Sequence, residues 1–159
     1  MILLGFDWNS TGAGRSRTPR ATEVARRVRG TGPTVLIAIG IDLVEVARIE
    51  ASVRRYGAHF LDRVFTMDEQ RYCGSKVNAG ERYAARFAAK EAAMKALGTG
   101  WSQGVTWRDL EVGRELSGRP TLLVHGAAQA RAVQLGIRHW SLSLTHTPEY
   151  AMAQVAAEG

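Results

Sequence analysis

From Val35 onward, apolar runs and helical spacings follow one another closely enough to predict the elements in order. VLIAIGIDLV (35–44) is a continuous apolar run, which predicts a buried strand, with Gly40 where close backbone approach is useful. Val46, Ile49, Val53 and Tyr56 then recur at helical spacing, so Glu45–Tyr56 reads as an amphipathic helix stopped by Gly57. A helical turn over His59–Val64 leads to Thr66. Glu69, three residues later, completes a capping-box spacing for a helix over Asp68–Tyr72. After a polar connection from Gly74 to Gly80 comes the longest predicted helix, Glu81–Leu97. Tyr83, Phe87, Met94 and Leu97 are its larger apolar positions, alanines fill the spaces between, and Gly98 is its expected left-handed cap. The period then becomes strand-like, with strands expected over Val105–Val112 and Thr121–His125 around a turn at Gly118–Pro120. A short helix over Ala127–Leu135 precedes two alternating runs, His139–Thr145 and Tyr150–Ala156, which read as an antiparallel hairpin. The class is α+β: an antiparallel sheet packed against a long central helix.

Residues 1–34 break this regularity. They are rich in Gly, Ser, Thr and Arg without a sustained period, and read as a flexible extension or as a start assigned too far upstream of a domain at 35–159. They also change the meaning of the charge. The chain's net +6 comprises six arginines against Asp7 and Glu23 in residues 1–34, a net of +4, and fifteen basic against thirteen acidic groups in residues 35–159, a net of +2. A nucleic-acid-binding module, suggested by the high overall charge, is therefore disfavoured for the domain itself. Cys73 is the one cysteine, so no internal disulfide or cysteine-rich zinc site can form, and a reducing cytoplasmic setting is expected. No apolar stretch approaches the ~20 residues that span a bilayer, so no membrane partner is expected.

Two carboxylates stand where a plain core would want none. Asp42 follows the first apolar run, where it either caps the next helix or serves as a ligand. Glu91 sits mid-helix between alanines, where it either pairs with Lys95 four residues on or faces a site. Two hard oxygen donors with lysines nearby suit Mg²⁺ holding a phosphate ester. Arg82, Arg86 and Lys90, spaced four apart, form a stripe suited to a polyanion. His146 ends an alternating strand just before a turn, a position from which side chains reach ligands. The other histidines and Cys73 read as surface or packing residues. Arg48, Arg54 and Arg55, joined by Arg63, are either a solvated face or a dock for an acidic partner.

IGIDLVEVARIE (39–50) and RFAAKEAAMKALGTG (86–100) resemble the two signature segments of the holo-(acyl-carrier-protein) synthases, the short bacterial 4′-phosphopantetheinyl transferases. WSLSLTHTPEYAMAQV resembles the family's closing hairpin, and Gly118–Arg119–Pro120 its Gly-basic-Pro turn. The resemblance covers Val35 to about Ala157. It implies the 4′-phosphopantetheinyl transferase fold and Mg²⁺-dependent transfer of phosphopantetheine from coenzyme A to a serine of apo-acyl carrier protein. Adenosine 3′,5′-bisphosphate is released, and the product supports fatty acid biosynthesis. By the same resemblance Asp42 and Glu91 hold the metal, and Glu91 and Lys95 are catalytic. Arg86, Lys95, His146, Thr147 and Arg119 contact coenzyme A, with Thr147 standing where some relatives carry Asp. Arg48 docks the carrier, extended by Arg54, Arg55 and Arg63, and the assembly is a homotrimer. A homologue that docks carriers without catalysis is the rival reading, and retention of Asp42, Glu91 and Lys95 argues against it.

Overall fold

Helix α4 (Ala79–Leu97) is the axis around which the domain is arranged. Its alanines, Ala84, Ala88, Ala89, Ala92 and Ala93, are wholly buried, so neighbouring backbone approaches it on several sides. The computed structural model describes residues 34–100 and 102–159, and the expected extension over residues 1–34 lies outside the described residues apart from Thr34.

Strand β1 (Leu36–Glu45) pairs antiparallel with β5 (Tyr150–Glu158), which pairs in turn with β4 (His139–His146), giving a three-stranded sheet with the last strand at its centre. The register sets Asp42 opposite Ala153, and Val35 and Gly159 exchange backbone hydrogen bonds of 3.1 and 3.0 Å. The inner face of β5 is Ala151, Ala153, Val155 and Ala157, all buried against α4. Small residues on both sides bring sheet and helix together, and Gly40 is the closest point. A Cβ built there would lie 1.8 Å from the Ala92 carbonyl oxygen and 3.0 Å from the Ala96 nitrogen. No side chain fits that gap.

The continuous apolar run of β1 predicts a buried strand, yet Ile39, Ile41 and Leu43 are 54%, 52% and 62% exposed within the chain. Side chains alternate across a strand, so one face meets α4 while these residues point away from it, and an unbroken apolar run cannot tell a covered second face from an open one.

Helices α1 (Val46–Tyr56) and α2 (Ala58–Val64) follow β1 directly, separated by Gly57 at φ +52°, a left-handed conformation that favours glycine. In α3 (Met67–Gly74) the predicted capping box is present: Thr66 Oγ1 accepts from the Glu69 N–H at 3.3 Å and Glu69 Oε2 from the Thr66 N–H at 2.8 Å. Gly98, at φ +68°, caps α4 as expected. The strand expected over Val105–Val112 begins late. Trp107–Asp109 is a single 3₁₀ turn, closed by the Asp109 carboxylate accepting from the Thr106 N–H at 2.9 Å, and β2 spans Leu110–Arg114. A Thr-x-x-Asp box therefore overrides the apolar alternation there. Strand β3 (Pro120–Val124) pairs with β2 in a separate two-stranded ribbon, and α5 (Gly126–Gln134) returns the chain to β4.

Candidate active site

Strand β1 and helix α4 each deliver one acid to a single cleft of about 540 Å³. Asp42 comes from β1, two residues past the tight contact at Gly40, and Glu91 from the helical turn beside Ala92. Asp42 does not cap the following helix: it lies inside β1, and the N-cap of α1 is Glu45. Its partner is Lys95, whose Nζ donates to Asp42 Oδ1 at 2.9 Å and to the Ile41 carbonyl at 3.0 Å. Lys95 thus crosses from α4 to β1 and fixes the carboxylate from the side, leaving lone pairs on Asp42 for a further ligand. Glu91 also has a polar or electrostatic partner.

The remaining walls come from α1, α2 and the 3₁₀ turn. Ile49, Phe60, Val64, Phe87 and Trp107 form an apolar surface, and the Phe87 and Trp107 rings lie 4.5 Å apart. Arg48, Ser52, His59 and Arg63 supply polar groups around it. Arg54 and Arg55 do not line the cleft: Arg54 makes an exposed 3.6 Å pair with Glu50, and Arg55 lies over the Tyr56 ring. Sequence reading missed His59, Phe87 and Trp107. Phe87 and Trp107 carry an ordinary core signature, and a lone histidine on a short helix has no distinguishing spacing.

Among the described residues, no group of three or more His, Cys, Asp or Glu is arranged to hold a metal. Two hard carboxylates in one solvent-reached cleft match the demand of Mg²⁺, which keeps several waters and takes one or two carboxylates together with phosphate oxygens. The donor set fits that ion and does not fit a closed structural zinc site.

Arg86 and His146 lie elsewhere. They line a second concavity of about 170 Å³ with Tyr72, Arg82, Arg114, Gly118 and Pro120. Arg86 is 4% exposed, its guanidinium stacks 4.3 Å from the Tyr72 ring centroid, and its Nε has no hydrogen-bond partner. Its Nη1 donates to the Arg82 carbonyl at 3.5 Å. Arg114 donates to the Tyr72 hydroxyl, and the Lys76 ammonium lies 5.2 Å from the same ring centroid. His146 Nδ1 stands 2.9 Å from Glu81 Oε2. The Thr147 hydroxyl is engaged in its own turn, donating to Glu149 and accepting from the Glu149 and Tyr150 N–H groups. Arg119 sits at the tip between β2 and β3, flanked by Gly118 and Pro120, which both line this concavity.

The expected Arg82–Arg86–Lys90 stripe is broken. Lys90 is completely buried, with Nζ 2.8 Å from Glu69 Oε2 and donating to the Trp107 carbonyl at 3.0 Å. Burial lowers its proton affinity, and the Glu69 carboxylate opposes that shift. Cys73 is buried beside Arg86, and burial pushes its thiol up to about 11, so it stays protonated and unreactive at neutral pH.

Residues 38–155 match the model of the 4′-phosphopantetheinyl transferase superfamily. The holo-[acyl-carrier-protein] synthase of Koribacter versatilis is 57% identical over 124 residues, covering 78% of this chain and 99% of that protein. The crystal structure of the Neisseria meningitidis holo-[acyl-carrier-protein] synthase superposes with a TM-score of 0.72 at 31% identity, covering 79% of this chain and all of that one. The Helicobacter pylori holo-[acyl-carrier-protein] synthase in complex with coenzyme A superposes with a TM-score of 0.66 at 30% identity, over 75% of this chain and 98% of that one.

Proposed function

The chain belongs to the 4′-phosphopantetheinyl transferase superfamily, and on that premise we propose that it is a holo-(acyl-carrier-protein) synthase. It transfers the phosphopantetheine arm of coenzyme A to a serine of apo-acyl carrier protein. The serine hydroxyl oxygen forms a new bond to the phosphorus that bears the arm, and the bond from that phosphorus to adenosine 3′,5′-bisphosphate breaks. The hydroxyl proton leaves to a base. The observation that carries this reading is the meeting of Asp42 and Glu91, far apart in sequence, in one cleft with Lys95 bound to Asp42.

In this reading Asp42 and Glu91 would hold Mg²⁺, which would supply positive charge to stabilise the pyrophosphate. Lys95 holds Asp42 in place and adds positive charge beside the leaving oxygen. Glu91, or a water held in the same cleft, takes the serine proton. Arg86 and His146, with Arg119 and Thr147, contact coenzyme A phosphates, and the convergence of Arg82, Arg86, Arg114 and His146 on one concavity supports an anion there. Arg48 and Arg63 meet acidic groups of the carrier at the mouth of the cleft. Arg54 and Arg55 add longer-range steering.

The open apolar face of β1, Ile39, Ile41 and Leu43, supports self-association, proposed as a homotrimer. Such an arrangement would let one subunit's second concavity serve a neighbour's cleft. Fatty acid biosynthesis in the cytoplasm is the proposed setting.

The test is the mass of apo-acyl carrier protein after incubation with this protein, coenzyme A and Mg²⁺, with EDTA and Glu91→Gln controls. Addition of one phosphopantetheine arm, absent in both controls, is the expected result. An unmodified carrier with folded wild-type protein would overturn the assignment.

A further inference from the structure

The most secluded charged groups in the described domain are Glu69 and Lys90, both with side chains fully closed to solvent. Each is satisfied on several sides. Glu69 Oε1 accepts from the Val112 N–H at 2.9 Å, and Glu69 Oε2 accepts from the Thr66 N–H at 2.8 Å and faces Lys90 Nζ at 2.8 Å. Lys90 Nζ also reaches the Trp107 carbonyl at 3.0 Å. Four segments therefore meet at one ion pair: the start of α3, the middle of α4, the 3₁₀ turn and β2.

The location of the pair relative to the cleft gives it a use. Lys90 immediately precedes Glu91, and the carbonyl it holds belongs to Trp107, which lines the cleft and stacks on Phe87. The pair is thus bonded to a wall of the site on one side and covalently adjacent to its acid on the other. The larger buried side chains of α4 lie towards its ends, Tyr83 near the start and Met94 and Leu97 in the last turns, while the stretch around Glu91 buries mainly alanines, whose shape alone grips a helix weakly against rotation. A buried ion pair adds little net stability over apolar residues of matched volume, but it tolerates few arrangements.

We propose that Lys90, held by Glu69, is a positioning residue that sets the rotation of α4 and the place of Trp107, so that Glu91 faces Asp42 across the cleft. This rests on the reading of Asp42 and Glu91 as cation ligands. Groups that orient ligands without touching the ion are typically worth tenfold or more in metal affinity.

The experiment is titration of the whole protein with Mn²⁺, following free ion by electron paramagnetic resonance, for wild type, Lys90→Met and the double variant Glu69→Gln/Lys90→Met. Folding is checked by circular dichroism at low temperature. The expected result is folded Lys90→Met with about tenfold weaker Mn²⁺ binding at unchanged stoichiometry, and an unchanged KM for the carrier. A role in stability alone would give fewer binding sites at the wild-type affinity. If Lys90→Met does not fold, the double variant, which leaves no unpaired charge inside, takes its place with the same expectation. Wild-type affinity in a folded variant, or failure of both variants to fold, would overturn the proposal. If wild type binds no Mn²⁺, with or without coenzyme A, the reading of Asp42 and Glu91 as ligands falls instead.

Discussion

Replacing Gly40 by alanine should be the most damaging single-methyl change in β1. The added Cβ would sit 1.8 Å from the Ala92 carbonyl oxygen and 2.7 Å from its carbon, and both are helix backbone that cannot rotate away. Restoring ordinary contact needs β1 and α4 to part by roughly 1.5 Å, enough to forfeit much of the dispersion across that seam. Overpacking usually costs about 1–3 kcal/mol, and a clash with backbone belongs at the upper end or beyond. For a domain of this size, about 3 kcal/mol lowers the melting temperature by roughly 10 °C. Function should suffer as well, because Asp42 is two residues along the displaced strand while Glu91 adjoins Ala92. A thermal melt by circular dichroism, paired with Mg²⁺-dependent carrier modification, reads both effects. A melting temperature within about 2 °C of wild type would refute the reasoning, since a clash of this size cannot be hidden.

The arginines divide by position. Arg48→Ala should raise the carrier's KM at least severalfold with the KM for coenzyme A unchanged, whereas Arg54→Ala, which loses one exposed pair with Glu50, should leave both within about twofold. Equal effects in steady-state kinetics would contradict this division. Arg86→Met should raise the KM for coenzyme A about tenfold or more, since it removes the buried cation from the second concavity; an unchanged KM in the folded variant would contradict the contact. For Cys73 the folded thiol titrates at about 11, above its ordinary 9.0, so between those values the unfolded chain has lost a proton that the native chain keeps. Stability therefore falls as pH rises through that window. Melting curves at pH 8 and 10.5 should show a smaller loss for Cys73→Ala than for wild type, and identical losses would contradict the raised pKa.

What could be read from the sequence was what short-range chemistry decides. The Thr66–Glu69 box, the glycine stops at Gly57 and Gly98 and the long alanine helix depend on neighbours within a turn or two. Asp42 and Glu91 stood out because a carboxylate among apolar or alanine residues conflicts with its surroundings. Lys90 was misread for the opposite reason. A lysine four residues after an arginine looks like surface, and its burial depends on Glu69 and on the Trp107 carbonyl, both outside its own helix. Around Trp107 the apolar alternation favours a strand, while the Thr106–Asp109 box that bends the chain has only a weak local signature. Openness of one face of β1 is likewise a property of what surrounds the strand, and no local pattern encodes it.

The order of strands in the sheet gives the site a history as well as a shape. Asp42 lies on the first strand, but among the described strands β1 hydrogen-bonds only to β5, the last to be made. During synthesis the acid emerges early and waits while more than a hundred residues are added, including the whole of the helix that carries Glu91. The backbone of its strand finds its hydrogen-bonding partner when Tyr150–Glu158 slides between it and β4. Closing the sheet is therefore a late, long-range step in fixing the cleft. A C-terminally clipped chain would keep both carboxylates and the Lys95–Asp42 bond but lose the strand that holds β1 in register.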